Sequence, residues 1–204
     1  SEEKNTAVVN LGGFCNITLL PKQGQPRDVE GFDLCCCNLV LDAIARDRLQ
    51  SEFDWNGDCA MRGTVEMDLY GDLKAKLQQQ RSNNRSLGSL DDLGGWILER
   101  SKNLATKHVL ATATSAVGSC ISDRLVDVER VLVAGGGIHN AALLQAIGCG
   151  AITTDEVGIP AQAREAMAMA ILGALSQDGV SITLAQITGR HETTEVVGWV
   201  QVSP

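Results

Sequence analysis

Aromatic residues are scarce in this chain: Phe, Trp and Tyr make up 3% of 204 residues, within a hydrophobic fraction of 44%. Its core must therefore be filled by Ala, Val, Leu and Ile. Positive charge is short as well. Seventeen Lys and Arg face 25 Asp and Glu, giving a formal charge of -8, and no Lys/Arg run exceeds two residues. Nucleic acid and anionic membrane both demand a basic surface, so neither is expected as the main partner. No apolar run is long enough to span a bilayer, and no charged start with an apolar middle marks a signal peptide. The lysine-bearing phosphate loop of many nucleotide enzymes is missing, as is any internal repeat. Three scattered histidines and the lack of a Cys-x-x-Cys pair leave no metal-binding pattern, so no metal ligand is expected.

Cysteine is present, seven times, but an odd count argues against a disulfide framework. Cys35, Cys36 and Cys37 are consecutive, and adjacent residues cannot easily wrap three thiolates around one tetrahedral ion. Cys15, Cys59, Cys120 and Cys149 stand singly among apolar or small residues, where a free thiol acts as a small hydrophobe. Reduced thiols and a cytoplasmic setting are the expectation. The chain starts Ser1-Glu2-Glu3-Lys4-Asn5 and enters a strand-like run at once, which reads as a cut inside a longer protein.

Patterning then gives the element order. Ala7–Leu11 and Cys15–Leu20 are short β-branched runs around Gly12-Gly13, the mark of an antiparallel hairpin. A third strand is expected around Asp28 to Asp33. From Asn38 to Leu49 apolar residues recur at helical spacing, with Asn38 as the expected N-cap. Residues 50–104 are more polar and read as a helical insertion, with helices at Val65–Leu77 and Leu90–Ser101 and a loop at Ser82–Ser86. Leu104–Leu125 is a small-residue-rich helix. Val131–Ala134 is a fully apolar strand of the kind buried in parallel sheets. Helix Asn140–Ile147, strand Ala151–Thr154 and helix Ala161–Leu175 follow, then a tail of strands and loops. Three antiparallel strands followed by alternating helices and parallel strands make an α/β domain of the ribonuclease-H-like (actin-like ATPase) class: a mixed five-stranded sheet, flanking helices and a helical insertion.

Two glycine loops carry the chemistry. Gly135-Gly136-Gly137-Ile138-His139-Asn140 follows a buried strand and precedes a helix, the place where an open α/β sheet binds its ligand. Glycines let a ligand approach the backbone, and a following helix aims N–H groups at an anion. A tight turn without a ligand has the same residues. Gly12-Gly13 lies at a hairpin tip between Asn10 and Asn16, where backbone N–H groups can wrap a phosphate; an ordinary β-turn is the plainer alternative. Glu165, on the last core helix, is in a position that usually faces solvent. Met167 and Met169 read as core filler.

These residues resemble the anhydro-N-acetylmuramic acid kinase family. Val8–Thr18 is similar to the strand-turn-strand that opens the family's second lobe, and Gly31-Phe32-Asp33 with Asn38 and Asp42 to the next block. Phe53-Asp54 with Gly57, Ala60 and Gly63, Ser86-Leu87-Gly88, and Ala111–Thr114 fit further blocks. So do Gly135–Gly137 with Asn140, Thr154–Gly158 and Glu165–Ala170. The resemblance implies residues 1–204 as the carboxyl-terminal lobe of a two-lobed sugar kinase, inserted at about 50–104 and lacking its amino-terminal lobe. It implies an enzyme that uses ATP and Mg²⁺ to open the anhydro ring of 1,6-anhydro-N-acetylmuramic acid and give the 6-phosphate, in cell-wall recycling. Gly12, Gly13 and Thr18 would lie near phosphates, and Gly135, Gly136, Gly137 and Asn140 on the adenosine side. Asp33, Asn38 and Glu165 would face the sugar or the Mg²⁺–water network. The family's catalytic base would be an aspartate of the other lobe, so no catalytic residue is assigned in this chain, and the isolated chain is expected to be inactive. Homodimerisation is a family expectation only.

The chain departs from the family pattern at Leu34-Cys35-Cys36-Cys37-Asn38, where the family has Thr-Gly-Pro-Gly-Asn. That departure supports a second reading, a nucleotide-binding or interaction module without catalysis or a diverged sugar kinase. A third reading makes the three cysteines a redox or metal switch.

Overall fold

The structure, a computed structural model, describes residues 4–82, 86–148 and 150–189. The sheet is built from β1 (Thr6–Leu11), β2 (Phe14–Leu20), β3 (Glu30–Cys36), β4 (Arg130–Ala134) and β5 (Ile152–Thr153), in the spatial order β3-β2-β1-β4-β5. β1, β2 and β3 form an antiparallel meander, while β1–β4 and β4–β5 pair in parallel. This is the ribonuclease-H-like arrangement expected from the order of the runs. The carboxyl ends of β1 and β4 lie side by side because Asn10 is in register with Ala134.

The helices are α1 (Asn38–Arg48), α2 (Asp58–Met61), α3 (Met67–Ser82), α4 (Gly94–Arg100), α5 (Thr106–Ser122), α6 (Ala141–Ile147), α7 (Arg164–Gln177) and α8 (Ala185–Thr188). α5 is central. Its Val109, Leu110, Ala113, Ala116, Val117 and Ile121 are buried, and α3, α2, α1 and α6 all pack against it. The 50–104 stretch is helical as expected, and it belongs to the core. Leu73, Leu77 and Ile97 are fully buried, each stabilising by about 1.5–3 kcal/mol relative to exposure.

Several boundaries move. The third strand runs to Cys36, past the expected Asp33, because Cys35 and Cys36 can line a buried strand as well as valine can. A register shift opposite Cys15/Asn16 accommodates the extra residue in β3. The expected helix at Leu90–Ser101 is a 3₁₀ turn, Ser89–Asp91, followed by α4. Asn38 is the first helical residue, not the N-cap, which is Cys37. The Asn38 amide is engaged elsewhere, since its Nδ2 donates to the Leu11 carbonyl (2.9 Å). α7 forms where helical periodicity placed it, yet none of its residues is buried. The loop at Ser82–Ser86 falls partly, and the tail beyond Gly189 wholly, outside the described residues. Among the described residues no helix is long and apolar enough to cross a membrane.

Candidate functional site

Three loops meet at the carboxyl ends of β1 and β4. The first is the hairpin tip Gly12-Gly13. The second is the junction of β3 and α1, which closes on that tip: Cys37 N donates to the Gly13 carbonyl (2.9 Å), Asn38 N to the Gly12 carbonyl (3.0 Å) and Leu39 N to the Gly13 carbonyl (3.2 Å). The third is Gly135-Gly136-Gly137, where a 3₁₀ turn, Gly136–His139, leads into α6. Asn140 ends that turn and caps α6, its Oδ1 accepting from Leu143 N (3.0 Å). The capping arrangement is the one its place before the helix predicts.

The three glycines of the last loop do different things. Gly135 has φ +85°, and a Cβ there would sit 2.8 Å from both Asn10 Oδ1 and the Leu11 carbonyl oxygen. A Cβ on Gly137 would come within 2.6 Å of Leu11 Cβ and 3.2 Å of Asn38 Oδ1. Both are glycine because β1 passes too close. Gly136 has no such neighbour: its Cβ would meet only Asn38 Nδ2, at 3.8 Å. Its surface is open, so it is the glycine whose backbone a ligand can reach.

The structure adds a residue that sequence reasoning passed over. Arg164, at the start of α7, donates from Nη2 to Asn10 Oδ1 (2.8 Å), while its Nε is buried without a hydrogen-bond partner among the described residues. A guanidinium thus reaches the glycine loops from a helix 154 residues away in sequence. The only signal in the sequence was its place beside Glu165, and one arginine before an apolar helix gives no reason to choose it.

A second support comes from the segment before α2. Asn56 forms an isolated parallel bridge with Asn140, and Ala141 N donates to the Asn56 carbonyl (3.1 Å). Gly57 has φ +73°, and any side chain there would strike Asn140 Oδ1 and Ala142. Asp54 holds the turn by accepting from Cys59 N and Ala60 N, each at 2.9 Å.

Of the residues expected at the site, Gly12, Gly13, Asn38 and Gly135–Gly137 come together, with Asn140 at the far end of the same loop. Thr18, Asp33 and Glu165 do not join them. Thr18 sits within the strands, opposite Val8 and Gly31, five residues from the hairpin tip. Asp33 is held on β3 with Oδ2 accepting from Leu87 N (2.8 Å). It lines a polar groove of about 1060 Å³ along β3, with Arg81, Arg124 and Gln186. No residue of the glycine loops lines that groove, and the loops have the better claim because they stand at the carboxyl ends of the parallel strands. Glu165 is exposed on α7.

Cys35, Cys36 and Cys37 are all fully buried. Burial pushes the Cys36 thiol up to about 11 and holds Cys15 and Cys37 well above the ordinary thiol range. These are protonated, inert packing groups. Among the described residues no group of three or more His, Cys, Asp or Glu could hold a metal. Asp42, half-buried on α1, is raised to about 6 by desolvation, against the opposing charge of Arg46.

The donor set at the loops is neutral amides, backbone N–H groups and one guanidinium. It suits oxyanions, phosphate above all. The family model for anhydro-N-acetylmuramic acid kinase matches residues 1–201. Proteins of that name are 30% identical in Salinibacter ruber and 32% in Bordetella avium. The alignments cover 92% and 90% of this chain, and 51% of each relative. A looser likeness, with TM-score 0.47 and 17% identity over 73% of this chain and 53% of the other, is to the activator of 2-hydroxyisocaproyl-CoA dehydratase from Clostridium difficile with bound ADPNP. The chain spans about half the length of the curated relatives it matches. With the family model matched along almost its whole length, the chain belongs to the anhydro-N-acetylmuramic acid kinase family.

Proposed function

We propose that this chain is the nucleotide-holding lobe of a kinase that phosphorylates 1,6-anhydro-N-acetylmuramic acid. In that reaction water opens the 1,6-anhydro bond, the γ-phosphoryl group of ATP passes to the 6-oxygen, and N-acetylmuramic acid 6-phosphate and ADP result. The observation that carries the reading is the meeting of Gly12-Gly13, Asn38, Gly136 and Arg164 at the carboxyl ends of β1 and β4. Backbone N–H groups of the two glycine loops would take the phosphate oxygens, and Arg164 would neutralise charge beside them. Asn10 would hold Arg164 in place, and Asn38, tied to Leu11, would keep the hairpin tip and the triple glycine at a fixed separation.

Mg²⁺, when it accompanies the nucleotide, neutralises charge on the transferred phosphoryl group. The loops offer it no carboxylate, so from this side its ligands would be the phosphates themselves. The catalytic base and the remaining walls of the sugar site belong, on this reading, to the half of the relatives' length that this chain does not span. A cytoplasmic location and a homodimer complete the proposal. The Thr18, Asp33 and Glu165 roles have no geometric support beside the loops and are not carried into it.

Calorimetry with ATP on the 204-residue chain tests the nucleotide part, and the expected affinity is weak because one lobe offers half of the contacts. A phosphotransfer assay with the preceding lobe present tests the reaction. Sugar 6-phosphate formation would support the kinase. ATP binding without product would favour the non-catalytic module, for which the Cys35–Cys37 replacement speaks. Absence of any ATP binding would remove both readings.

A further inference from the structure

The chain has seven aromatic residues, and two of them stand together in solvent at one place. Trp55 is 69% exposed and Phe53 37% exposed, with ring centroids 4.4 Å apart and planes tilted by 54°. An aromatic-poor protein has every physical reason to bury such rings, since each removes a large apolar area from water. Their backbone is not a loose loop. Gly57 N donates to the Asp54 carbonyl (3.0 Å), Asp58 N donates to the Trp55 carbonyl (3.0 Å), and the Asp54 carboxylate ties the turn to α2.

The turn is also docked on the triple-glycine loop. Asn56, the residue after Trp55, bridges Asn140, and Gly57 leaves no room for a side chain against Asn140 and Ala142. The pair of rings is thereby fixed beside the end of the loop that would hold the nucleotide. We infer that Trp55, backed by Phe53, is a stacking platform for the purine base of the nucleotide. The inference rests on the nucleotide reading of the glycine loops. It adds a base-binding subsite, with Trp55 as the group that distinguishes a nucleotide from a bare polyphosphate. The rings offer a flat apolar face, and base–aromatic stacking contributes roughly 5- to 150-fold in affinity.

The test is calorimetry on the 204-residue chain with two probes, Mg-ATP and magnesium tripolyphosphate, each against the wild type, Trp55→Ala and Trp55→Phe. The expected result is that ATP binds at least fivefold more tightly than tripolyphosphate to the wild type. Trp55→Ala should erase that difference, leave tripolyphosphate affinity unchanged and, with an exposed side chain, leave the melting temperature within a few degrees. Trp55→Phe should restore part of the preference. ATP affinity unaltered in Trp55→Ala would overturn the stacking role while leaving the nucleotide reading intact, and so would equal binding of the two probes by the wild type. Failure of both probes to bind the wild type would overturn the nucleotide reading itself, and the platform with it.

Discussion

The three adjacent glycines separate folding from binding, and substituting them one at a time uses that separation. A Cβ at Gly136 meets nothing closer than Asn38 Nδ2 at 3.8 Å, ordinary van der Waals contact. Gly136→Val should therefore fold, with a stability change within about 1 kcal/mol. Its isopropyl group would occupy the open face where phosphate oxygens must approach. Losing one charge-assisted hydrogen bond to the loop costs about 1.5–3 kcal/mol, or roughly 10- to 150-fold in ATP affinity. Gly137→Val is the counterpart, because its Cβ would lie 2.6 Å from Leu11 Cβ and 3.2 Å from Asn38 Oδ1. Overpacking of that kind costs about 1–3 kcal/mol, equivalent to about 2–12 °C in melting temperature for a chain of this size. Thermal melts and ATP calorimetry on both variants give four numbers. The expected pattern is a stable Gly136→Val that binds ATP poorly, and a Gly137→Val that melts early. Undiminished ATP binding by Gly136→Val would refute the assignment of this face to the ligand, and equal destabilisation by both would refute the geometry.

Other expectations follow from single contacts. Arg164→Gln removes a guanidinium beside the loops and should weaken ATP about tenfold or more with little change in melting temperature; unchanged affinity in calorimetry would return Arg164 to a structural role. Asn140→Ala deletes the α6 cap and should cost about 1 kcal/mol in a denaturant titration. Cys35, Cys36 and Cys37 should resist a thiol reagent in the native chain and react once it is unfolded, with zinc making no difference. Rapid native labelling at these positions would revive the switch reading. Asp42, raised to about 6, binds its proton more tightly in the folded chain than in the unfolded one, so stability falls as pH rises from about 4 through 6. Asp42→Asn should flatten that slope and raise stability at pH 7.5 by about 1 kcal/mol, allowing for the half-exposed position. Melting curves at pH 5 and pH 7.5 would show it, and a slope unchanged by the substitution would contradict the account.

The order of the elements and the fold class could be read from the sequence because most of the strands are marked locally. β4 is apolar from Val131 to Ala134 and closed by glycines, and β1 and β2 flank a two-residue turn. The glycine loops were legible for the same reason: a run of glycines after a buried strand has few uses. What escaped were contacts made by tertiary placement. Arg164 finds Asn10 across 154 residues, and Asn56 finds Asn140 across 84, with no periodicity or spacing to announce either. β3 was drawn too short because Cys35 and Cys36 gave no strand signal in the sequence, although in the core they pack as small hydrophobes. The bond from Leu87 N to Asp33 Oδ2, across 54 residues, is another contact made by tertiary placement. The helical pattern of α7 was correct as a local signal, but periodicity does not say what a helix packs against. None of its residues is buried, and Met169 and Ile171 remain more than half exposed.

The Cys35–Cys37 departure from the family's Gly-Pro-Gly bears on which reading survives. Cys36 stands in the place of the proline, and its backbone N–H donates to the buried Gln80 Oε1 (2.8 Å), whose Nε2 in turn donates to the Asp91 carbonyl (2.6 Å). A proline could not make the first of these bonds. The replacement therefore adds a tie between β3 and α3. Cys37, in place of the second glycine, has φ -126°, outside the left-handed region. The bonds from Cys37 N and Asn38 N to Gly13 and Gly12 form through backbone atoms and are indifferent to the side chains. The thiols themselves turn inward and fill core volume. A change that looks severe in the sequence thus leaves the backbone bonds between the loops standing, and its consequence is an added tie between β3 and α3. The variant Gln80→Leu, which removes the tie, should lower stability by about 1–3 kcal/mol in a denaturant titration, and unchanged stability would refute the tie.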